Sequence, residues 1–204
     1  MRLPAITSVW ALASMMIAGP MLFAEEKAEK AKPVKAPDFT LVNYDGKEVK
    51  LADYTGKIVV LEWFNYECPF SRYNYEKTTA DNDLAAKYKD KNVVWLAINS
   101  TGHQAAEKNK EFAAQFKVEH PILDDSTGTV GRAYGAMTTP HIFIIDAKGN
   151  IAYKGAFDNA PIGKIPENEK YVNYADKALD ELTAAKPITT AETKPYGCSV
   201  KYGK

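Results

Sequence analysis

Cys68 stands in the stretch WFNYECPFSRY, directly after a hydrophobic run and directly before Pro69. A proline at that point suits the first position of a helix, because its fixed φ fits there and its missing N–H is not needed. A sulfur at a helix start faces unpaired backbone N–H groups and the positive end of the helix dipole, and both favour thiolate over thiol. The chemistry this permits is nucleophilic attack on another sulfur. Three residues on, where a dithiol motif carries its second cysteine, the chain has Ser71. Its hydroxyl can donate a hydrogen bond to a thiolate but cannot close a disulfide. Glu62 interrupts the apolar run six residues before Cys68. A carboxyl there is costly to bury without a task or a partner, and the task on offer is proton transfer during thiol–disulfide exchange. The plainer alternatives are a buried structural cysteine and a glutamate solvated at a sheet edge or paired with a lysine.

The elements that must position these groups follow from hydrophobic patterning. Phe39 to Asn43 and Glu48 to Leu51 flank Asp45-Gly46, a hairpin signal. Lys57 to Phe64 reads as a strand buried on both faces, and Asn92 to Asn99 as a second. Helix formers dominate from Pro69 to about Asp90. Helices are also predicted over Gln104 to Phe116, with Phe112 and Phe116 one turn apart, and over Thr127 to Tyr134, closed by Gly135. His141 to Asp146 and Ile151 to Phe157 form a second hairpin around Ala147-Lys148-Gly149-Asn150. Glu167 to Ala185 places Val172, Ala175, Leu179 and Leu182 on one stripe of a closing helix. The fold class expected is α/β, a mixed sheet covered by helices on both faces.

Residues 1–24 carry Arg2, no acid and an apolar stretch broken by Gly19-Pro20, the pattern of a secretory signal peptide with cleavage after Ala24. A single membrane anchor is the alternative, but the run falls short of about 20 uninterrupted apolar residues. Residues 25–35 read as a charged tether, 36–185 as one domain, and 186–204 as a tail carrying Cys198. The chain has 26 basic and 26 acidic residues, which gives no electrostatic case for nucleic acid. Neither stable membrane insertion after cleavage nor a cofactor is expected. The expected location is periplasmic or secreted, where two cysteines form a candidate disulfide rather than a zinc cluster. His103, His120 and His141 share no helical face and suggest no metal site. Tyr66, Phe70, Tyr73 and Tyr75 crowd the thiol region and offer either packing or an apolar surface for a peptide.

VVLEWFNYECPF resembles the redox-site strand and helix start of the thioredoxin superfamily, in which a buried acid stands six residues before the first active-site cysteine. Thr139-Pro140, followed by HIFIIDAKGNIAYKG, resembles that fold's cis-proline and hairpin, which in the family face the reactive sulfur. With APDFTLVNYDGKEVKLADYTGK, the pattern from about Ala36 to Phe157 resembles the redoxin branch, the peroxiredoxin-like and thiol–disulfide oxidoreductase proteins of the alkyl hydroperoxide reductase/thiol-specific antioxidant superfamily. The YGCSVKY tail resembles a peroxiredoxin-like subgroup of it. The resemblance implies a thioredoxin-like fold, Cys68 as nucleophile, Glu62 as proton relay, and a substrate placed by Thr139, Pro140, Pro69 and Phe70. Its implied partners are a protein or small-molecule disulfide, or a hydroperoxide, with an external thiol as reductant. The chain has Leu61 and Asn65 where peroxiredoxins place proline and threonine or serine before their cysteine, which speaks against the standard peroxide site.

Cys198 lies in Pro195-Tyr196-Gly197-Cys198-Ser199, where glycine and proline allow a mobile tail to bring a sulfur back to a distant helix start. A 68–198 bridge would close a loop of about 130 residues and, if unstrained, stabilise the fold by about 5 kcal/mol on the chain-entropy account. Three readings stay open: a reversible resolving partner, a permanent staple in a non-enzymatic binding scaffold, or no intramolecular bridge.

Overall fold

The computed structural model describes residues 33–104 and 106–203, so the expected signal peptide at 1–24 and most of the tether lie outside the described residues. In chain order the elements are β1 (Thr40–Asn43), β2 (Glu48–Lys50), β3 (Ile58–Trp63), α1 (Pro69–Glu76), α2 (Ala80–Tyr88), β4 (Val93–Asn99), α3 (Ala106–Phe116), β5 (Ile122–Asp124), α4 (Thr129–Tyr134), β6 (Thr138–Thr139), β7 (His141–Ile145), β8 (Ile151–Gly155), α5 (Tyr174–Thr183) and β9 (Cys198–Ser199). Seven strands form one sheet in the order β2-β1-β5-β4-β3-β7-β8. β4 runs parallel to β3 and β5, and the other pairs are antiparallel. This is the mixed, doubly covered sheet expected from the sequence.

Because side chains alternate along a strand, β3 serves two cores at once. Val59, Leu61 and Trp63 face the layer closed by Val130 and Tyr134 of α4. Ile58 and Val60 face Leu84 and Tyr88 of α2 and Ala175, Ala178 and Leu179 of α5. Glu62 is next in that second series, so the same period that buries Ile58 and Val60 carries a carboxyl into the interior.

Two expectations on element bounds need correction. The helical run from Pro69 is two helices, because Thr79 adopts a left-handed φ of 55° that no continuous helix contains. The closing helix starts at Tyr174 rather than Glu167; Asn173 caps it by accepting the Asp176 N–H at 2.9 Å, and Val172 lies outside it. β5 went unpredicted, since three residues are too few for a periodicity to register. The chain is tied to the β8 end before residue 36 by an isolated bridge, in which Ile151 N donates to Val34 O at 2.8 Å.

The tail is strapped rather than loose. It runs beside β8, where Lys154 N donates to Ala191 O (3.0 Å) and Thr193 N to Lys154 O (3.1 Å). Beyond Cys198, Val200 N donates to Met137 O and Tyr202 Oη to Ala136 O, and the Arg132 guanidinium lies 4.7 Å from the Tyr202 ring centre.

Candidate active site

Cys68 is the N-cap residue of α1, with Pro69 in the first turn, as the sequence implied. The connection from β3 is shaped by Asn65. Its Oδ1 accepts the Glu67 N–H (2.7 Å) and Gln104 Nε2 (2.9 Å), and its Nδ2 donates to Thr101 Oγ1 (3.1 Å). The Cys68 thiol is buried and donates to Thr139 O at 3.0 Å. Thr139-Pro140 is a cis peptide bond, and the Cys68–Thr139 hydrogen bond sets the two landmarks face to face.

The second sulfur arrives by strand pairing. β9 pairs antiparallel with β6, with Cys198 opposite Thr139 and Ser199 opposite Thr138. Gly197 makes the approach possible: its φ is +119°, and a Cβ there would collide with Thr139 O. Two residues earlier in the strap, Tyr196 Oη donates to Asp158 Oδ1 at 2.7 Å and its ring sits 6.0 Å from that of Phe70. Both cysteines are free thiols. They open onto a cleft of about 430 Å³ lined by Asn65, Glu67, Cys68, His103, Cys198 and Lys201, among others.

The electrostatics separate the two sulfurs. Burial pushes the Cys68 pKa up, but the Cys198 thiol and the Ser71 and Cys198 backbone N–H groups favour the thiolate more strongly, and the net shift is downward. Cys198 is pushed up to about 11, by burial first and then by its hydrogen bond and charge contact with Cys68. The two sulfurs are thus shifted in opposite directions, Cys68 toward the thiolate and Cys198 toward the thiol. Ser71 acts through its backbone N–H. Its hydroxyl is buried and makes no hydrogen bond among the described residues.

Glu62 is fully buried in the middle of the sheet, without the lysine or solvent that the alternative reading required. Its Oε2 accepts from Tyr75 Oη at 2.8 Å and from Trp95 Nε1 at 3.0 Å, while Oε1 has no partner. Burial pushes its pKa up to about 7, against the lowering effect of those two donors. Asp81 of α2 is equally buried, and both its oxygens lack a hydrogen bond. Burial and then the Glu62 charge hold its pKa well above the carboxylate range, while the adjacent Asn74 amide works the other way. Ser71, Asn74 and Tyr75, the buried residues of α1, thus form a polar seam from the sulfur end of the helix to these acids.

Sequence reasoning missed Tyr75, Trp95, His120 and Asp81 as surroundings of Glu62, and Tyr196 as the anchor of the strap. A signal existed for Asp81, which shares the inward stripe of Leu84 and Tyr88. The aromatic cluster is not an open apolar surface: Tyr75 is inside, Phe70 lies against Tyr196, and the Tyr73 hydroxyl packs against Gly163. His141 is a bracing residue whose Nδ1 accepts the Met137 N–H at 3.2 Å. No group of side chains suited to a metal ion occurs among the described residues.

Comparison with known proteins agrees with this geometry. The thiol-disulfide oxidoreductase ResA of Bacillus thuringiensis subsp. konkukian is 32% identical over 127 residues, covering 62% of this chain and 69% of that protein. An uncharacterised conserved protein from Geobacillus kaustophilus superposes with a TM-score of 0.73 at 29% identity, covering 84% of this chain and 92% of the other. A putative thiol:disulfide interchange protein DsbE from Chlorobium tepidum gives 0.57 at 29% identity over 76% and 96%. The fold is that of thioredoxin, and the activity is that of an oxidoreductase acting through thiols and disulfides. The AhpC/TSA family profile matches residues 34–154, and the chain belongs to that family.

Proposed function

We propose that this chain is an exported thiol–disulfide oxidoreductase in which Cys68 attacks and Cys198 resolves. The observation that carries the reading is the β6–β9 pairing, which sets Cys198 opposite Thr139 and its thiol against the Cys68 sulfur. The Cys68 thiolate attacks one sulfur of a substrate disulfide, the substrate S–S bond breaks, and the leaving thiolate takes a proton from the site. The Cys198 thiol then gives up its proton and attacks the Cys68 sulfur of the mixed disulfide. That step releases the second substrate thiol and leaves a Cys68–Cys198 disulfide for an external dithiol to reduce.

Cys198 must lose its proton to resolve the mixed disulfide, and burial, the first cause of its raised pKa, still favours the thiol there, so the step is where a base would act. Glu62, with a pKa near 7, is matched to that task at neutral pH. Ser71 and Asn74 lie on the buried face of α1 between this carboxyl and the sulfur end of the helix, with Ser71 Oγ and Asn74 Nδ2 making no hydrogen bond among the described residues. Thr139 and Pro140 hold the substrate, Pro69 fixes the helix start, and Phe70 seats the strap. Export rests on the apolar leader at residues 1–24, and the chain then works in the periplasm or outside the cell.

Cys198→Ser should accumulate a covalent adduct with substrate at Cys68, and Cys68→Ser should abolish turnover. If Cys198→Ser turns over at the native rate with a dithiol donor, the tail is not the resolving element. A reduction potential of the 68–198 bridge well below about −300 mV would mark it instead as a permanent staple.

A further inference from the structure

Glu62 must load and unload a proton, yet it is fully buried, and neither it nor Tyr75 is among the residues that line the sulfur cleft. The hydrogen bonds lead elsewhere. Tyr75 Oη, which donates to Glu62 Oε2 at 2.8 Å, lies 3.1 Å from His120 Nε2. His120 in turn lines a separate groove of about 360 Å³ with Ala85, Ala86, Lys89, Val94, Lys117 and Glu119. With Nε2 committed to Tyr75, Nδ1 is the nitrogen left for the groove.

We propose that His120 and Tyr75 relay protons between this groove and Glu62, so that the buried acid equilibrates with solvent by a route separate from the substrate cleft. When Glu62 is ionised, His120 Nε2–H donates to Tyr75 Oη and Tyr75 Oη–H donates to Glu62 Oε2. A proton from groove water bonds to Nδ1 as the Nε2–H bond breaks. Tyr75 takes that hydrogen as its own O–H bond breaks, and Glu62 Oε2 receives the last one. One proton has moved inward, the imidazole has changed tautomer, and the reverse sequence returns it. Burial supports this mode of transfer, for it lowers the His120 pKa to about 3 and disfavours a resting imidazolium.

The groups that face this chain are placed to keep the proton in play. Trp95 of β4 donates to the same Glu62 oxygen, and Asp81 of α2 competes with Glu62 for protonation. Asn74 and Ser71 of α1 lie along the seam toward the sulfur, the Asp158 charge also raises Asp81, and Lys89, Lys117 and Glu119 rim the groove. His120 and Tyr75 are positioning residues, acting only through Glu62.

The inference deepens the proton role proposed for Glu62, but its test does not use turnover. The carbonyl stretch of the protonated Glu62 carboxyl, assigned by its loss in Glu62→Gln, is followed by infrared after a rapid pH jump across each variant's own midpoint. His120→Ala and Tyr75→Phe should each slow the appearance of the band by about 100-fold. Added imidazole should restore His120→Ala, leave Tyr75→Phe slow, and not change the native protein. A native rate in either variant, or a slow His120→Ala that imidazole fails to restore, overturns the relay. Should His120→Ala not fold, Tyr75→Phe decides alone, because it keeps the ring against Phe64 and Phe112 and removes only the hydroxyl. Failure of Glu62 as the exchange base reads differently: Glu62→Gln would then resolve mixed disulfides at the native rate, whatever the infrared kinetics show.

Discussion

Replacing Glu62 with glutamine should stabilise the reduced protein, and only above acid pH. In the folded state burial holds the carboxyl near pH 7, whereas an unfolded chain ionises it near 4.5. Between those values the folded state keeps a proton that the unfolded state has lost, so stability falls as pH rises through this window and then levels off. A gap of about 2.5 units corresponds to about 3 kcal/mol of destabilisation at pH 8 and almost none at pH 4. Glutamine keeps an oxygen for Tyr75 Oη and Trp95 Nε1 and removes the charge that also raises Asp81. Glu62→Gln should therefore be about 2–3 kcal/mol more stable than the native protein at pH 8 and close to equal at pH 4.5. His120 and His141, lowered to about 3 and about 4, impose the opposite slope, since their unfolded forms take up protons below about 6.5. They are present in both proteins and cancel in the comparison at each pH. Urea unfolding under reducing conditions at the two pH values measures the difference directly. A gap between the two proteins that did not change with pH would refute the assignment of the buried charge to Glu62.

Three further outcomes are expected at the sulfurs. Cys198→Ala should raise the thiolate midpoint of Cys68 followed by ultraviolet absorbance, while Cys198→Ser, which keeps a donor, should raise it less; equal midpoints would remove Cys198 from the account of the thiolate. Gly197→Ala should slow closure of the 68–198 disulfide by about tenfold or more, because φ near +119° and the approach to Thr139 O both exclude a side chain, and quenched alkylation of the mixed disulfide reads the rate. Ser71→Ala removes a buried hydroxyl without a partner, so activity should stay within about twofold and stability should hold or rise by up to about 1 kcal/mol. A large loss in either would show that the hydroxyl itself serves the sulfur.

What could be read in advance depended on whether the cause was local. β3 was legible because five apolar residues around Glu62 leave little choice but a buried strand, and α1 because Pro69 names its own position. The break at Thr79 was missed because helix formers dominate the whole stretch from Pro69 to Asp90, although Thr78, Asp81, Asn82 and Asp83 beside the break are weak ones. Glu62 stood out as an anomaly, but its partners come from positions 75 and 95, with His120 behind Tyr75, on three different segments, and no spacing rule joins them. Asp81 and Asp83 look alike in ADNDLAAKY; only packing against the sheet makes the first a buried acid and leaves the second near the surface.

The tail is where sequence and structure part most usefully. A segment with two prolines and no periodicity reads as mobile, yet its order comes from hydrogen bonds to residues far along the chain, which periodicity cannot register. This bears on the missing sulfur at position 71. A partner cysteine there would belong to α1 and would close its bridge within one helical turn. Cys198 instead belongs to a strand, so the bridge joins the helix start to the β6 edge and spans about 130 residues, and oxidation would lock the strap where reduction leaves it held by pairing and by its anchors at Tyr196 and Tyr202. The redox state of the pair would then set how firmly the strap covers the backbone of Thr138 and Thr139, where the substrate contact proposed at Thr139-Pro140 lies.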